Sequence, residues 1–316
     1  MNNLKVTFFL AGVPKGASSW TAMALSEHPE IFMPDIKPVS FFNIKFEQGF
    51  DWYRTVFADH NDEPAIGDAS PDYMKSRQAP RRIAARVPDA KLVFIIRNPM
   101  ERAFSQWWHG NRSGWTNIDF EDVFRSHNAW DLLVEPGFYA MHLERWAEYF
   151  DEEQMLVKLF DDFQDNNEGF IQQIYEFVGV DSDFRPSIVG EKKNVGAEMR
   201  GPPTYETVKA WFRHTMPPAV TEITKPVYNH FKWVIESESA YKRGMDGEVR
   251  KHLELVYSDD VADLEERLDL NLAHWFRYLK PGQHYDSVLF EPAYRQRAPN
   301  WNTKENIRKN YRIRRS

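Results

Sequence analysis

Three stretches of the chain are apolar without alternation: Lys5 to Val13, Lys91 to Ile96 and Met155 to Phe160. A strand with one wet face alternates with period two, whereas a strand covered on both faces is apolar at nearly every position. The first two therefore predict buried strands of a parallel sheet, and the last predicts a third strand. Between and after them, apolar residues recur at helical spacing over Ser19 to Ser26, Arg77 to Val87, Gly137 to Tyr149 and Gly169 to Val178. The start of the helix after the second strand is the best marked boundary, with Asn98 as cap, Pro99 at the first helical position and Glu101 three residues past the cap. Strands alternating with helices imply βαβ units, so the expected fold is α/β, a central parallel sheet flanked by helices. In such a sheet ligands sit at the carboxyl edge of the strands.

The rest of the pattern is less regular. His28 to Pro34 reads as turns, and Gly67-Asp-Ala-Ser-Pro-Asp-Tyr73 predicts a turn entering a helix. Glu191 to Pro203 is a polar, basic loop long enough to be functional. Tyr205 to Lys242 is aromatic-rich and reads as helical in pieces, and Val249 to Trp275 carries helical spacing in two segments. The composition changes beyond Pro281, and Lys304 to Ser316 holds six basic residues against one acidic. The expectation is one domain over residues 1–280 and an arm or tail over 281–316.

Composition narrows the class. A chain of 316 residues, 42% hydrophobic and 15% aromatic, is too apolar for disorder. It has no cysteine, hence no disulfide framework and no thiolate metal site, and no ligand cluster of the usual metal-binding spacing stands out. A net charge of −7 argues against general nucleic-acid binding, so any anion site must be local. No apolar run reaches the ~20 residues that span a bilayer, and the first strand follows closely on Met1. The expectation is a cytoplasmic protein with neither a membrane nor a nucleic-acid partner.

The chemistry concentrates where the first strand ends. Phe8-Phe-Leu-Ala-Gly-Val-Pro-Lys-Gly-Ala-Ser-Ser-Trp20 runs from strand through a lysine-bearing turn into a helix, an arrangement that aims backbone N–H groups at one point and sets Lys15 beside it. Ser18 and Ser19 can cap that helix and donate hydroxyls. The lysine opens the turn, whereas in a Walker loop it closes it after the last glycine, and the Mg²⁺ carboxylate that a P-loop kinase needs is not evident. At the end of the second strand, Arg97-Asn-Pro-Met-Glu-Arg-Ala-Phe-Ser105 places an arginine able to grip a phosphate bidentately. Ser105 lies two helical turns on, on the same side.

Pro14-Lys-Gly-Ala-Ser-Ser19 resembles the 5′-phosphosulfate loop of sulfotransferases that use 3′-phosphoadenosine 5′-phosphosulfate, with Ala17 where that family usually has glycine. The Arg97 to Ser105 segment is similar to their 3′-phosphate motif, Arg-x-Pro-x-x-Arg-Ala-x-Ser. Gly137 to Trp146, Gln154 to Val157, Asp161 to Phe163, Phe177 to Gly179 and Leu264 to Trp275 resemble further parts of bacterial and carbohydrate sulfotransferases. The resemblance implies a P-loop-like fold and a donor nucleotide held by Lys15, Gly16, Ala17, Ser18, Ser19, Trp20, Arg97 and Ser105. Lys192, Lys193, Asn194 and Arg200 would close over it from the late loop. It further implies sulfuryl transfer to a hydroxyl or amine with release of adenosine 3′,5′-bisphosphate; the expectation is a small soluble acceptor and, with no metal-ligand cluster in the sequence, no metal.

That family's carbohydrate branch takes the acceptor's proton with a glutamate after the lysine of Lys-Glu-x-x-Phe-Phe. Here Lys37-Pro-Val-Ser-Phe-Phe42 keeps the lysine, but Pro38 replaces the glutamate and cannot accept a proton. His109, one turn past Ser105, is one replacement, since imidazole ordinarily titrates near neutrality. Asp35, Asp68 and Asp72 are the carboxylate alternatives, each also at home in a proline turn. A sulfotransferase-like protein that binds the nucleotide without turnover is the remaining alternative. Trp107, Trp108, Trp115 and Trp130, with Phe41 and Phe42, either line an acceptor pocket or belong to the core.

Overall fold

The computed structural model describes residues 6–114, 116, 118–124, 126–190 and 244–282. The three predicted strands are present as β1 (Phe8–Gly12), β4 (Lys91–Ile96) and β5 (Met155–Leu159), and two more join them, β2 (Ile31–Phe32) and β3 (Ala65–Ala69). All pair in parallel, in the order β2-β3-β1-β4-β5. The carboxyl end of β1 therefore lies between those of β3 and β4.

β3 corrects the sequence pattern, which predicts a turn from Gly67. The strand continues through Ala69, and the turn follows at Ser70 with a single 3₁₀ turn over Pro71–Tyr73. Glycine and aspartate disfavour strands, but pairing overrides that preference: Phe8, Phe9 and Leu10 of β1 stand opposite Gly67, Asp68 and Ala69. Gly67 is needed there because a Cβ would collide with the ring of Phe8.

The helices are α1 (Ser18–Glu27), α2 (Gly49–Val56), α3 (Ala79–Ala84), α4 (Pro99–Ser113), α5 (His127–Ala129), α6 (Tyr139–Ala147), α7 (Phe160–Asp165), α8 (Asn167–Val178) and α9 (Gly247–Leu268). α3 is shorter than the basic pattern over Arg77 to Val87 predicts. α9 is one long helix, followed by a 3₁₀ turn at Ala273–Trp275. Asn98 caps α4 as expected, its Oδ1 accepting the N–H groups of Met100 at 3.1 Å and Glu101 at 3.3 Å.

The chain divides into two units. The first comprises Met1–Arg102, Glu135–Glu191 and Asp260–Trp275, and it holds the sheet. On one sheet face Phe8, Leu10, Val93 and Ile95 pack with Leu25 of α1 and with Phe170, Ile171 and Ile174 of α8. On the other, Phe9 meets Phe42 and Tyr73, and Phe94 meets Trp146 of α6 at 5.3 Å. Both faces are covered, which is why these strands read as continuous apolar runs.

The second unit comprises Ala103–Val134, Lys192–Asp259 and Phe276–Ser316. Its described core is aromatic: Phe104 and Trp107 of α4 pack on Phe120, and the Trp107 indole donates to the Ile118 carbonyl oxygen at 2.7 Å. Glu254 is buried, bonded to Arg250 at 3.1 Å, and accepts the backbone N–H groups of Arg277, Tyr278 and Leu279. A buried carboxylate is tolerated where donors replace its water, and here they do.

Candidate functional site

The turn after β1 is built from backbone that only some residues tolerate. Lys15 and Ala17 both have positive φ, 73° and 66°, on either side of Gly16. Such turns point successive N–H groups into a concavity that suits an anion. Gly16 is required for a different reason: the turn passes so close to the end of β4 that a Cβ would collide with the carbonyl oxygen of Ile95. Ala17 is the residue preceding α1 and is itself left-handed, so the helix begins at Ser18. The expectation that Ser18 and Ser19 cap the helix is therefore corrected. A cap needs extended backbone, and Ser18 is already helical. Ser18, Ser19 and Trp20 thus occupy the first helical turn, whose N–H groups have no partner within the helix.

Lys15 is half-buried beside this turn. Desolvation lowers its pKa, and the Arg97 and Arg102 guanidiniums lower it further. All three influences favour loss of its proton, and an anion at the turn would reverse them. Arg97, at the end of β4, donates from Nη1 to the Lys15 carbonyl oxygen at 3.4 Å, and its guanidinium lies 4.5 Å from the centre of the Phe160 ring. Its own carbonyl oxygen accepts the Tyr139 hydroxyl at 2.7 Å, and Asn98 donates to the Trp275 carbonyl oxygen at 2.8 Å. The first unit thus clamps the backbone around Arg97 from α6 and from the turn after α9.

Lys37 is brought to the same place. Its ammonium donates to the carbonyl oxygen of Ser18 at 2.5 Å, and desolvation by the protein around it lowers its pKa to about 8. Asp35, two residues earlier, is exposed. Asp72 is half-exposed, 3.9 Å from Lys75. Asp68 does not present itself to a substrate: it is fully buried, and its two oxygens take the hydroxyl protons of Ser70, Tyr53 and Tyr73. A base must reach the proton it removes, so its expected role as base gives way to a structural one. Phe41, Phe42 and Trp107 are core residues.

Ser105 and His109 lie further along α4, within the second unit, Ser105 partly buried and His109 exposed. Trp115, Lys192, Lys193, Asn194 and Arg200 lie outside the described residues. The sequence reading missed Arg102, fully buried and acting on Lys15, and Tyr139, which holds the Arg97 backbone. Arg102 was visible as the second arginine of its motif; the position of Tyr139 left no local signal. Trp20 gains a sharper role, because its buried indole Nε1 has no hydrogen-bond partner among the described residues. Among those residues no group of three or more His, Cys, Asp or Glu is arranged to hold a metal, and no helix is long and apolar enough to cross a membrane.

Comparison with known proteins agrees with this arrangement. The chain is 29% identical over 177 residues to the human heparan sulfate glucosamine 3-O-sulfotransferase 6, covering 54% of this chain and 51% of that protein. It is 28% identical over 198 residues to the mouse bifunctional heparan sulfate N-deacetylase/N-sulfotransferase 2, covering 55% of this chain and 22% of that protein. The chain thus spans about half or less of the length of these relatives. Its fold is similar to that of a sulfotransferase from Alicyclobacillus acidocaldarius, with a TM-score of 0.64, 23% identity, and coverage of 87% of this chain and 100% of that one. Residues 5–195, which contain the Lys15 turn and the Arg97 clamp, match the sulfotransferase domain, and the chain belongs to that family.

Proposed function

We propose that the chain is a sulfotransferase that moves a sulfuryl group from 3′-phosphoadenosine 5′-phosphosulfate to a hydroxyl or amine of a small soluble acceptor in the cytoplasm. The observation that carries this reading is the convergence of Lys15, Arg97 and the first turn of α1 on one edge of the sheet. The donor's chemistry fits the residues present. Lys15 and the N–H groups of Ser18, Ser19 and Trp20 suit a phosphosulfate, the Arg97 fork suits a phosphate, and the Trp20 indole N–H is a buried donor awaiting an acceptor. When bound, the donor supplies an activated sulfuryl group and a phosphate leaving group. Lys15 then holds positive charge where negative charge grows on the leaving oxygen. Lys37 reinforces the same edge, and the resemblance of the Arg97 to Ser105 segment to the 3′-phosphate motif assigns the Ser105 hydroxyl to the donor as well. The acceptor's proton goes to His109, since Pro38 cannot take it and Asp68 is enclosed; Asp35 and Asp72 are the alternatives.

A sugar acceptor is the second reading, favoured because the human and mouse relatives named above are heparan sulfate sulfotransferases. Two measurements separate the possibilities. Adenosine 3′,5′-bisphosphate should raise the melting temperature by mass action, and ATP with Mg²⁺ should do far less because it lacks the 3′-phosphate. Equal or greater stabilisation by ATP would overturn the reading in favour of a P-loop kinase. A mass-spectrometric acceptor screen, with heparan oligosaccharides in one arm and small phenols, alcohols and amines in the other, then identifies the acceptor. Nucleotide binding with no transfer to any acceptor would leave a binding protein.

A further inference from the structure

Asp68 enters the sheet edge from β3, opposite Phe9 of β1. Its Oδ1 accepts the Ser70 hydroxyl at 2.6 Å, and its Oδ2 accepts the Tyr53 and Tyr73 hydroxyls at 3.0 Å each. A hydroxyl has one proton, so giving it to the carboxylate turns the oxygen's lone pairs toward other donors. Two backbone groups use them: the Ser40 N–H donates to Ser70 Oγ at 2.9 Å, and the Phe42 N–H donates to Tyr73 Oη at 3.2 Å. The Arg82 guanidinium holds the Phe42 carbonyl oxygen at 2.9 Å. The Ser40 to Phe42 stretch is thereby fixed to β3 and α3. Three residues before it, Lys37 ends on the carbonyl oxygen of Ser18 in the first turn of α1.

We propose that Asp68 is a positioning residue for Lys37, its carboxylate orienting the Ser70 and Tyr73 hydroxyls so that they hold the backbone which places the Lys37 ammonium at the start of α1. The inference rests on the sulfotransferase reading, which makes that place the donor site. The carboxylate sets the direction of both hydrogen-bonded relays, from backbone N–H to hydroxyl to Asp68. An amide at position 68 can turn an N–H toward a hydroxyl and reverse that direction. Tyr53 provides an internal contrast, because it donates to Asp68 but has no bond to the 40–42 backbone among the contacts described. The charged and titratable groups facing Asp68 are Tyr53, Tyr73 and, at longer range, Lys45.

The test is trace acetylation of the whole protein with acetic anhydride over a range of pH, with each lysine read separately by mass spectrometry. In the wild type Lys37 should titrate at about 8. In Asp68→Asn, Ser70→Ala and Tyr73→Phe its midpoint should rise by about one unit or more toward the ordinary lysine value of ~10.4, as the ammonium returns to water. Tyr53→Phe should leave it in place, and Lys15 in the same digest should titrate as in the wild type throughout. If Asp68→Asn fails to fold, Ser70→Ala and Tyr73→Phe carry the test. An unchanged Lys37 in those two variants overturns the proposal. So does an equal shift in Tyr53→Phe, which would mean general loosening. Adenosine 3′,5′-bisphosphate should slow acetylation of Lys15 in the wild type; if it does not, the sulfotransferase reading fails separately, whatever Lys37 does.

Discussion

Arg97 and Lys15 stand 82 residues apart in the chain, yet a guanidinium N–H of the first reaches the carbonyl oxygen of the second across 3.4 Å. The bond joins the ends of neighbouring strands β4 and β1, so the residue expected to grip a phosphate also braces the turn expected to cradle one. Loss of Arg97 thus acts in two ways, and the two mutations differ in signature. Arg97→Ala should weaken the thermal shift caused by adenosine 3′,5′-bisphosphate by most of its value. Arg97→Lys should recover only part, since lysine lacks the planar fork. Lys15→Ala should chiefly lower kcat by removing charge at the leaving group. A Lys15→Ala enzyme with unchanged kcat would refute that assignment.

Adjacent positions in the turn should respond in opposite directions. Ala17 has φ 66°, a conformation that costs a residue with a Cβ ~1 kcal/mol and costs glycine almost nothing. Ala17→Gly should therefore raise stability by up to ~1 kcal/mol, read as a higher urea midpoint at constant m. Gly16→Ala should lower the midpoint and reduce nucleotide binding, because its new methyl group meets the Ile95 carbonyl oxygen on rigid sheet backbone. A Gly16→Ala protein as stable and as responsive to nucleotide as the wild type would contradict the close approach.

Stability should fall as pH rises from roughly 4 to 7 through the contribution of Asp260. Burial raises its pKa to about 7, although the N–H groups of Met141 and Ala140 at the start of α6 oppose the shift. In the unfolded chain a carboxyl titrates near ~3.9, so the fold holds this proton more tightly, and that advantage disappears as pH rises through 7. Each unit of difference corresponds to ~1.4 kcal/mol. Asp68, raised to about 6 by burial, acts in the same direction up to its own pKa. Asp260→Asn keeps an acceptor oxygen but cannot titrate, so its melting temperature should change less across this window. The assignment is falsified if both proteins show the same slope.

Removal of the capping side chain in Asn98→Ala should cost ~1–2 kcal/mol. It deletes the acceptor for the Met100 and Glu101 N–H groups, a loss usually worth ~1 kcal/mol, together with the bond to the Trp275 carbonyl oxygen. Denaturant titration measures the loss. A cost within a few tenths of a kcal/mol would mean that water replaces both partners.

The acceptor's proton provides the sharpest functional contrast. His109→Ala should reduce turnover on the order of 10²–10⁴-fold, the range of a general base, with nucleotide affinity retained. Asp35→Ala and Asp72→Ala should stay within a few-fold of wild type. Should either aspartate abolish turnover while His109→Ala remains active, the carboxylate takes the role.

β1, β4, β5 and the capped start of α4 were legible because their signals are local: apolar runs for the strands, continuous in β1 and β4, which are covered on both faces, and broken by Lys158 in the half-buried edge strand β5, and the Asn98-Pro99 pair at a helix start. The two segments expected to hold the donor's phosphates were legible for the same reason, each a short run of residues following a strand. β2 and β3 were not, since the two residues of one and the Ala-Ile-Gly-Asp-Ala of the other carry no period. They are strands because β1 offers an unpaired edge and Phe8 needs the space that Gly67 leaves. The sequence could place Asp68 among the possible bases, but its role depends on hydroxyls from Tyr53, Ser70 and Tyr73, up to 15 residues away. A carboxylate in water and one enclosed by three donors are the same letter in a sequence. Only the tertiary structure sets its solvation, and solvation decides whether it can receive a substrate's proton or only hold neighbouring groups in place.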